Sequence, residues 1–293
     1  MTKNIIIAVE NFSYRYPRAS AQALTNINLE VHEGELLGLI GPTGSGKTTL
    51  CLALAGLLPQ VGGGTVKGRI LIDGNDSVNV PLEKLLFRVE KKEALVGITL
   101  QDPEAQLVGM TVEEDLAFGP ENLGLCSEEI ENRIQTILKL IRMENFRFVF
   151  PYKLSGGQKQ RIAIGSTIAL RPQVLIFDEP TSELDPVGRK EVFSVIKELK
   201  EQANLAIIVV EHHTEELAMY CDRIILLNEG EIVIQDTVNQ VFEQVKLLHE
   251  IGVRPPDGVE LMAELRAAGL INPSSPLLDE DQIKSYIIEC LSK

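Results

Sequence analysis

Nine consecutive residues, Gly41-Pro42-Thr43-Gly44-Ser45-Gly46-Lys47-Thr48-Thr49, have types and spacing suited to holding a phosphate group. They fit the pattern G-x-x-x-x-G-K-[ST]. Glycines let the backbone curl until several N–H groups face one anion at the start of a helix. The pattern gives Lys47 to the β- and γ-phosphates and the Thr48 hydroxyl to Mg²⁺. With Gly near 7% of average composition, chance would place it in roughly one chain in a hundred of this length. The flanks weaken chance further. An apolar run, Leu36 to Ile40, leads in, and a helical run, Thr48 to Leu58, leads out. The stretch implies nucleotide binding but leaves open which nucleotide and what use.

Three more stretches carry chemistry. Val174-Leu175-Ile176-Phe177-Asp178-Glu179 reads as a buried strand delivering two carboxylates at its end. In P-loop enzymes the strand-end Asp helps hold the metal, which leaves the adjacent Glu to position or deprotonate water. Alone, such a run could be a capped strand end; beside a P-loop it reads as a catalytic pair. Leu154-Ser155-Gly156-Gly157-Gln158 opens a helix running to Leu170, a second anion-binding helix start. One nucleotide rarely needs two cradles unless the second serves a partner subunit's nucleotide. The stretch therefore hints at a dimer, although in isolation it reads as a plain N-capped helix. Phe12-Ser13-Tyr14-Arg15-Tyr16-Pro17 could stack on a base, but on the residues alone strand-edge packing accounts for it better.

These stretches need elements to position them. Residues 4–9, 24–31, 66–73, 95–100, 205–210 and 223–227 read as strands, with Asp73-Gly74 as a hairpin turn. Leu82 to Val89 reads as a short helix. Thr111 to Phe118 and Ser127 to Ile141 read as helices, and in the second Ile130, Ile134, Ile137, Leu138 and Ile141 share one face. A helical segment at about 102–165 thus interrupts a β-rich domain. A helix at about 188–201 completes an alternating α/β pattern. Beyond about residue 245 the pattern weakens. Pro255-Pro256-Asp257-Gly258 reads as a breaker, and two short helices follow at about 259–268 and 279–291.

Composition narrows the partners. Net charge is −14 (28 basic and 42 acidic residues), which disfavours nucleic acid and loose adsorption to an anionic membrane. Cys51, Cys126, Cys221 and Cys290 show no metal-binding or C-x-x-C spacing and read as reduced packing residues. The stretch Met1 to Asn11 lacks a signal-peptide layout, and no apolar run approaches the ~18 residues that span a bilayer.

The P-loop, Gln101, Leu154-Ser155-Gly156-Gly157-Gln158, Asp178-Glu179, Leu184-Asp185 and His212, in that order, resemble the nucleotide-binding domain of ABC transporters over about residues 4–240. The resemblance implies an α/β fold: a RecA-like P-loop core, an antiparallel β subdomain and a helical subdomain insert. ATP and Mg²⁺ are the implied ligands. Tyr16 resembles the adenine-stacking aromatic, and Gln101 the glutamine that touches Mg²⁺ and water and links to the membrane partner. Ser155, Gly157 and Gln158 resemble the signature that closes on the opposite subunit's γ-phosphate. Glu179 resembles the catalytic base, Asp185 the interface aspartate and His212 the γ-phosphate sensor. Two departures stand out. Glu211-His212-His213 replaces the usual Thr-His-Asp; alignment by Glu215-Glu216 and Cys221-Asp222-Arg223 favours His212, with His213 the alternative. Glu183 stands where a small residue commonly precedes the Leu.

The run from Gln101 through Asp102-Pro103-Glu104 and Thr111-Val112-Glu113-Glu114-Asp115 to Asn122 resembles the ATPases of energy-coupling factor (ECF) transporters. That likeness implies an ATPase domain over 1–244 and a C-terminal extension over 245–293 that contacts a second ATPase, of the same or a sister chain. It also implies a transmembrane coupling (T-type) protein, a small substrate-binding (S-type) membrane protein and a peripheral place on the cytoplasmic face of the membrane. The cargo would be a vitamin or a transition-metal ion. An ordinary ABC importer ATPase is the alternative. A DNA- or ribosome-acting ABC protein fits poorly, because the short span between Gln101 and Leu154 holds no sustained heptads.

Overall fold

Alternating apolar and polar residues open the chain as antiparallel strands. The computed structural model describes residues 4–88, 90–182, 184–203, 205–271, 283–286 and 288. Strand β1 (Ile5–Arg15) pairs with β2 (Leu24–His32), burying Ile7, Val9, Phe12 and Tyr14 against Leu24, Ile27, Leu29 and Val31. Strand β3 (Leu36–Ile40) is buried at every position and leads into helix α1 (Lys47–Leu54). The helix stops before the expected Leu58, as Gly56 turns left-handed (φ 71°). Strand β4 (Thr65–Ile72) turns at Asp73-Gly74, both at positive φ as a type I′ turn requires, into β5 (Asn75–Asp76).

Helix α2 (Leu82–Leu86) is shorter than expected because Phe87 turns extended, starting the hairpin β6 (Phe87–Arg88) and β7 (Glu93–Ala94). Strand β8 (Val96–Thr99) follows, then α3 (Val112–Asn122), α4 (Ser127–Leu140) and α5 (Gly156–Ile168). Strand β9 (Val174–Asp178), α6 (Pro186–Ala203) and β10 (Ala206–Val210) come next. Four elements the sequence reading did not anticipate intervene after β10: α7 (Thr214–Tyr220), β12 (Glu231–Thr237), α8 (Val238–Phe242) and α9 (Val245–Ile251). Strand β11 (Arg223–Asn228) and helix α10 (Asp257–Ala267) match expectation closely. The helix expected at about 279–291 lies largely outside the described residues, as does Glu183.

The main sheet runs β12-β11-β3-β10-β9-β8, parallel throughout except for β12; a second, antiparallel sheet runs β2-β1-β4-β5. Period-two alternation splits each central strand between two cores. Val174 and Ile176 face α1 and the antiparallel sheet, whereas Leu175 and Phe177 face the helices α3 to α6. The apolar face of α4 supplies Ile134, Ile137 and Leu138 to that second core, with Ile141 just past the helix end. Arg147 pins this helical segment together, paired to Glu113 of α3 at 2.7 Å and Glu131 of α4 at 2.6 Å.

Candidate functional site

Four neighbouring strands, β3-β10-β9-β8, deliver functional residues just past their carboxyl ends, where open parallel sheets bind ligands. After β3 comes the P-loop. Gly41, Gly44 and Gly46 all have positive φ (154°, 81° and 104°). Close packing reinforces the requirement at two of them. A Cβ at Gly46 would lie 2.8 Å from the Ala23 carbonyl oxygen, and one at Gly41 would collide with that of Leu227. Lys47 is buried, and its Nζ donates to the carbonyls of Gly41 (2.9 Å) and Pro42 (3.0 Å). Burial lowers its pKa, while the nearby Glu179 and Asp178 carboxylates raise it.

At the end of β9 come the two carboxylates, Asp178 as its last residue and Glu179 just beyond. Asp178 is 2% exposed. Burial raises its pKa, and the Thr48 hydroxyl beside it works in the opposite direction. Its Oδ1 has no hydrogen-bond partner among the described residues, nor has the buried Ser45 hydroxyl. An orphaned buried carboxylate oxygen next to a threonine hydroxyl is a hard-oxygen donor set that suits Mg²⁺. Among the described residues no three His, Cys, Asp or Glu side chains form a metal cluster.

Glu179 adopts a left-handed backbone (φ 52°), fixed by its N–H donating to the Val210 carbonyl at 3.0 Å. Such a conformation costs a non-glycine residue about 1 kcal/mol or more and is kept where the surroundings enforce it. Both carboxylate oxygens are engaged. Gln101, past the end of β8, donates its Nε2 to Oε2 at 2.9 Å. His212, past the end of β10, places Nε2 2.9 Å from Oε1. Of the two candidate histidines, His212 is the one whose ring meets Glu179; His213 is the N-cap residue of α7.

The cleft over the P-loop is lined by Tyr16, Thr43, Gly44, Gly46, Lys47, Thr48, Thr49, Gln101 and Glu179. Tyr16 donates to or accepts from Thr49 Oγ1 at 3.1 Å and meets the Tyr14 ring edge-on, with centroids 4.9 Å apart. Ala21, Gln22, Ala23, Glu229 and Gly230 also line this cleft and were not singled out from sequence. Glu229-Gly230 is the β11–β12 turn, both residues at positive φ (48° and 79°), and Gly230 donates to the Ser45 carbonyl at 2.9 Å. A Glu-Gly pair between two apolar runs was the available signal.

Ser155 to Gln158 lie elsewhere. Ser155 caps α5, its hydroxyl accepting from Gln158 N–H at 3.4 Å, while Gln158 Oε1 accepts from Ser155 N–H at 2.9 Å: a capping box. This helix start shares a second open cleft with Asp185, whose Oδ1 accepts from Gly188 N–H at 2.7 Å. The two clefts have no lining residue in common. Among the described residues a Cβ at Gly156 or Gly157 would meet nothing nearer than Leu184, at 3.9 and 3.6 Å. Packing among those residues therefore does not require these glycines.

Fold and site define a P-loop ATPase with its nucleotide cradle at the carboxyl edge of a mixed sheet. Residues 24–182 match the family model for ABC transporters. The chain is 41% identical over 293 residues to the energy-coupling factor transporter ATP-binding protein EcfA1 of Clostridium novyi, covering 99% of each chain. It is similar to the structure of cbiO1 from Clostridium perfringens, part of the ABC transporter complex cbiONQ, at TM-score 0.73 and 31% identity, covering 89% of this chain and 100% of that one. A dimeric ATP-binding cassette in a post-hydrolysis state with ADP and Pi superimposes at TM-score 0.69 and 26% identity, covering 79% and 98%. The chain belongs to the ABC transporter family and is an ATP-binding ABC ATPase.

Proposed function

We propose that this chain is the ATP-hydrolysing subunit of an ECF-type importer, powering uptake of a vitamin or transition-metal ion through a transmembrane coupling protein. The observation that carries the catalytic part is the Glu179 carboxylate held between Gln101 and His212 beside the P-loop. Lys47 and the P-loop N–H groups bind the β- and γ-phosphates, and Tyr16 stacks on the adenine. Thr48, Asp178 and Gln101 hold Mg²⁺, which neutralises phosphate charge when bound. Glu179 orients the attacking water and takes its proton. His212 is the γ-phosphate sensor.

The signature Ser155-Gly156-Gly157-Gln158 serves a second subunit's nucleotide. Among the described residues nothing packs tightly enough to require its glycines, and they line a cleft apart from the P-loop, as a surface awaiting another chain's phosphate would. Asp185 lies in the same cleft, at that interface. The second ATPase is this chain again or a sister chain. Residues 1–244 form the ATPase domain, with the helical subdomain at about 102–165 receiving the T-type coupling protein. Residues 245–293 form the extension that contacts the second ATPase. End-to-end likeness to EcfA1, extension included, supports the ECF reading over an ordinary importer. A small S-type membrane protein selects the cargo. No helix among the described residues is long and apolar enough to cross a membrane. On the ECF reading, the T-type protein holds the subunit peripherally on the cytoplasmic face.

Gentle affinity purification of the full chain from native membranes tests this. One coupling protein with small hydrophobic binders and a second ATPase is the expected retinue. Two large permeases with an extracytoplasmic binding protein would overturn the ECF assignment, and no membrane partner would overturn the transport role.

A further inference from the structure

Glu211 stands where the family resemblance leads one to expect threonine, and its carboxyl is 1% exposed. A buried carboxyl is costly unless donors meet it. The donors here come from two functional segments. Oε1 accepts from the Thr181 N–H at 2.9 Å and the Thr181 hydroxyl at 2.6 Å, while Oε2 accepts from the His212 N–H at 3.2 Å. Thr181, fully buried, sits between Glu179 and Asp185, and its carbonyl accepts from the Leu184 N–H at 3.1 Å. Farther along, Arg189 of α6 makes a second tie. Its Nη1 donates to the Leu184 carbonyl at 3.2 Å, and its Nε lies 3.5 Å from Glu216 of α7. The turn bearing Asp185 is thus fastened near both ends to the segment bearing His212.

We propose that Glu211 is a positioning residue that couples the Asp185 turn to His212, so that displacement of this turn at the subunit interface moves the ring resting on Glu179. The inference rests on the roles given above to Glu179, His212 and Asp185. Packing alone would be served by an apolar residue at position 211; a carboxyl with one oxygen on each segment serves as a strap.

The test is steady-state ATPase kinetics, at an alkaline pH where Glu211 is ionised and accepts from all three donors, of the full-length protein carrying Glu211→Gln, Thr181→Val, Thr181→Ser, the Glu211→Gln/Thr181→Val pair, or Glu179→Gln. In Glu211→Gln the amide nitrogen must face a donor, which breaks one end of the strap. Thr181→Val removes the hydroxyl, and Thr181→Ser retains it. The strap predicts kcat lowered about tenfold in Glu211→Gln and Thr181→Val with KM for ATP within about twofold of the parent. Thr181→Ser stays near the parent, and the pair is no worse than either single, because coupled sites are non-additive. Parental kcat in Thr181→Val and Glu211→Gln, or losses that multiply in the pair, would overturn it. The Glu179→Gln control separates the two failures. If it still turns over, the catalytic assignment itself is wrong; if it is inactive while Thr181→Val is fully active, the strap alone is wrong.

Discussion

Replacing Glu179 by Gln changes one carboxylate oxygen to an amide nitrogen and leaves the shape intact. The structure shows how little else should change. The Gln oxygen can accept from Gln101 Nε2, and its nitrogen can donate to an unprotonated His212 Nε2, so both 2.9 Å contacts survive. The left-handed backbone at position 179 is the same for either residue. With two hydrogen bonds of about 1 kcal/mol each retained, the melting temperature should move by no more than ~2 °C. The proton-accepting group is lost, however, and general-base catalysis is typically worth about 10²–10⁴-fold. A fall in kcat of about a thousandfold is expected, with ATP affinity preserved and an ATP-bound dimer that persists. Phosphate release, binding of a fluorescent ATP analogue and sedimentation in ATP measure the three. Turnover above roughly a tenth of the parental rate would refute Glu179 as the base. A drop in melting temperature large enough to account for the lost activity would refute the hydrogen-bond reasoning.

Three further outcomes are expected. Lys47→Ala should weaken ATP binding at least about tenfold with little effect on melting, because the hydrogen bonds it loses are to carbonyls of its own loop. Chelating divalent ions should stop turnover while nucleotide still binds, and added Mg²⁺ should restore it; activity surviving EDTA would remove Thr48 and Asp178 from the metal role. Glu211 gives a pH signature. Burial pushes its pKa from 4.5 up to about 7, against the lowering effect of Thr181 and His212 N–H donors, with Glu216 raising it slightly. The folded chain therefore holds a proton that the unfolded chain has released, and stability falls as pH rises through that window. The expected loss is about 3 kcal/mol in full, and Glu211→Gln should melt with a flatter pH dependence between those values.

Much of this was written locally in the chain. Leu36 to Ile40 is legible because a parallel strand buried on both faces must be apolar throughout. The face of α4 is legible because helical periodicity survives at Ile130, Ile134, Ile137 and Leu138 and carries on to Ile141 at the C-cap. The aromatic stretch was half-legible. Strand β1 runs on to Arg15, so Phe12 and Tyr14 are core residues, as packing alone suggests, while Tyr16 escapes the strand and reaches the cleft. Edge strand β12 was missed because its apolar run, Ile232 to Ile234, is only three residues long and passes straight into Gln235, Asp236 and Thr237. Helix α7 was missed because seven residues carry barely two turns of pattern. Glu211 could be seen as a departure but not as a buried carboxyl, since its donors at Thr181 lie thirty residues away. The convergence of Gln101, Glu179 and His212 likewise depends on the strand order β10-β9-β8, which no local stretch encodes.

The separation of the two clefts has a consequence for the cell. On the proposed reading, each chain carries a cradle without the lid its own nucleotide needs and a lid without the cradle. A solitary copy can hold ATP yet lacks the means to break it. Copies too dilute to meet one another would therefore stand idle rather than drain the nucleotide pool, and hydrolysis would begin only where two chains are brought face to face.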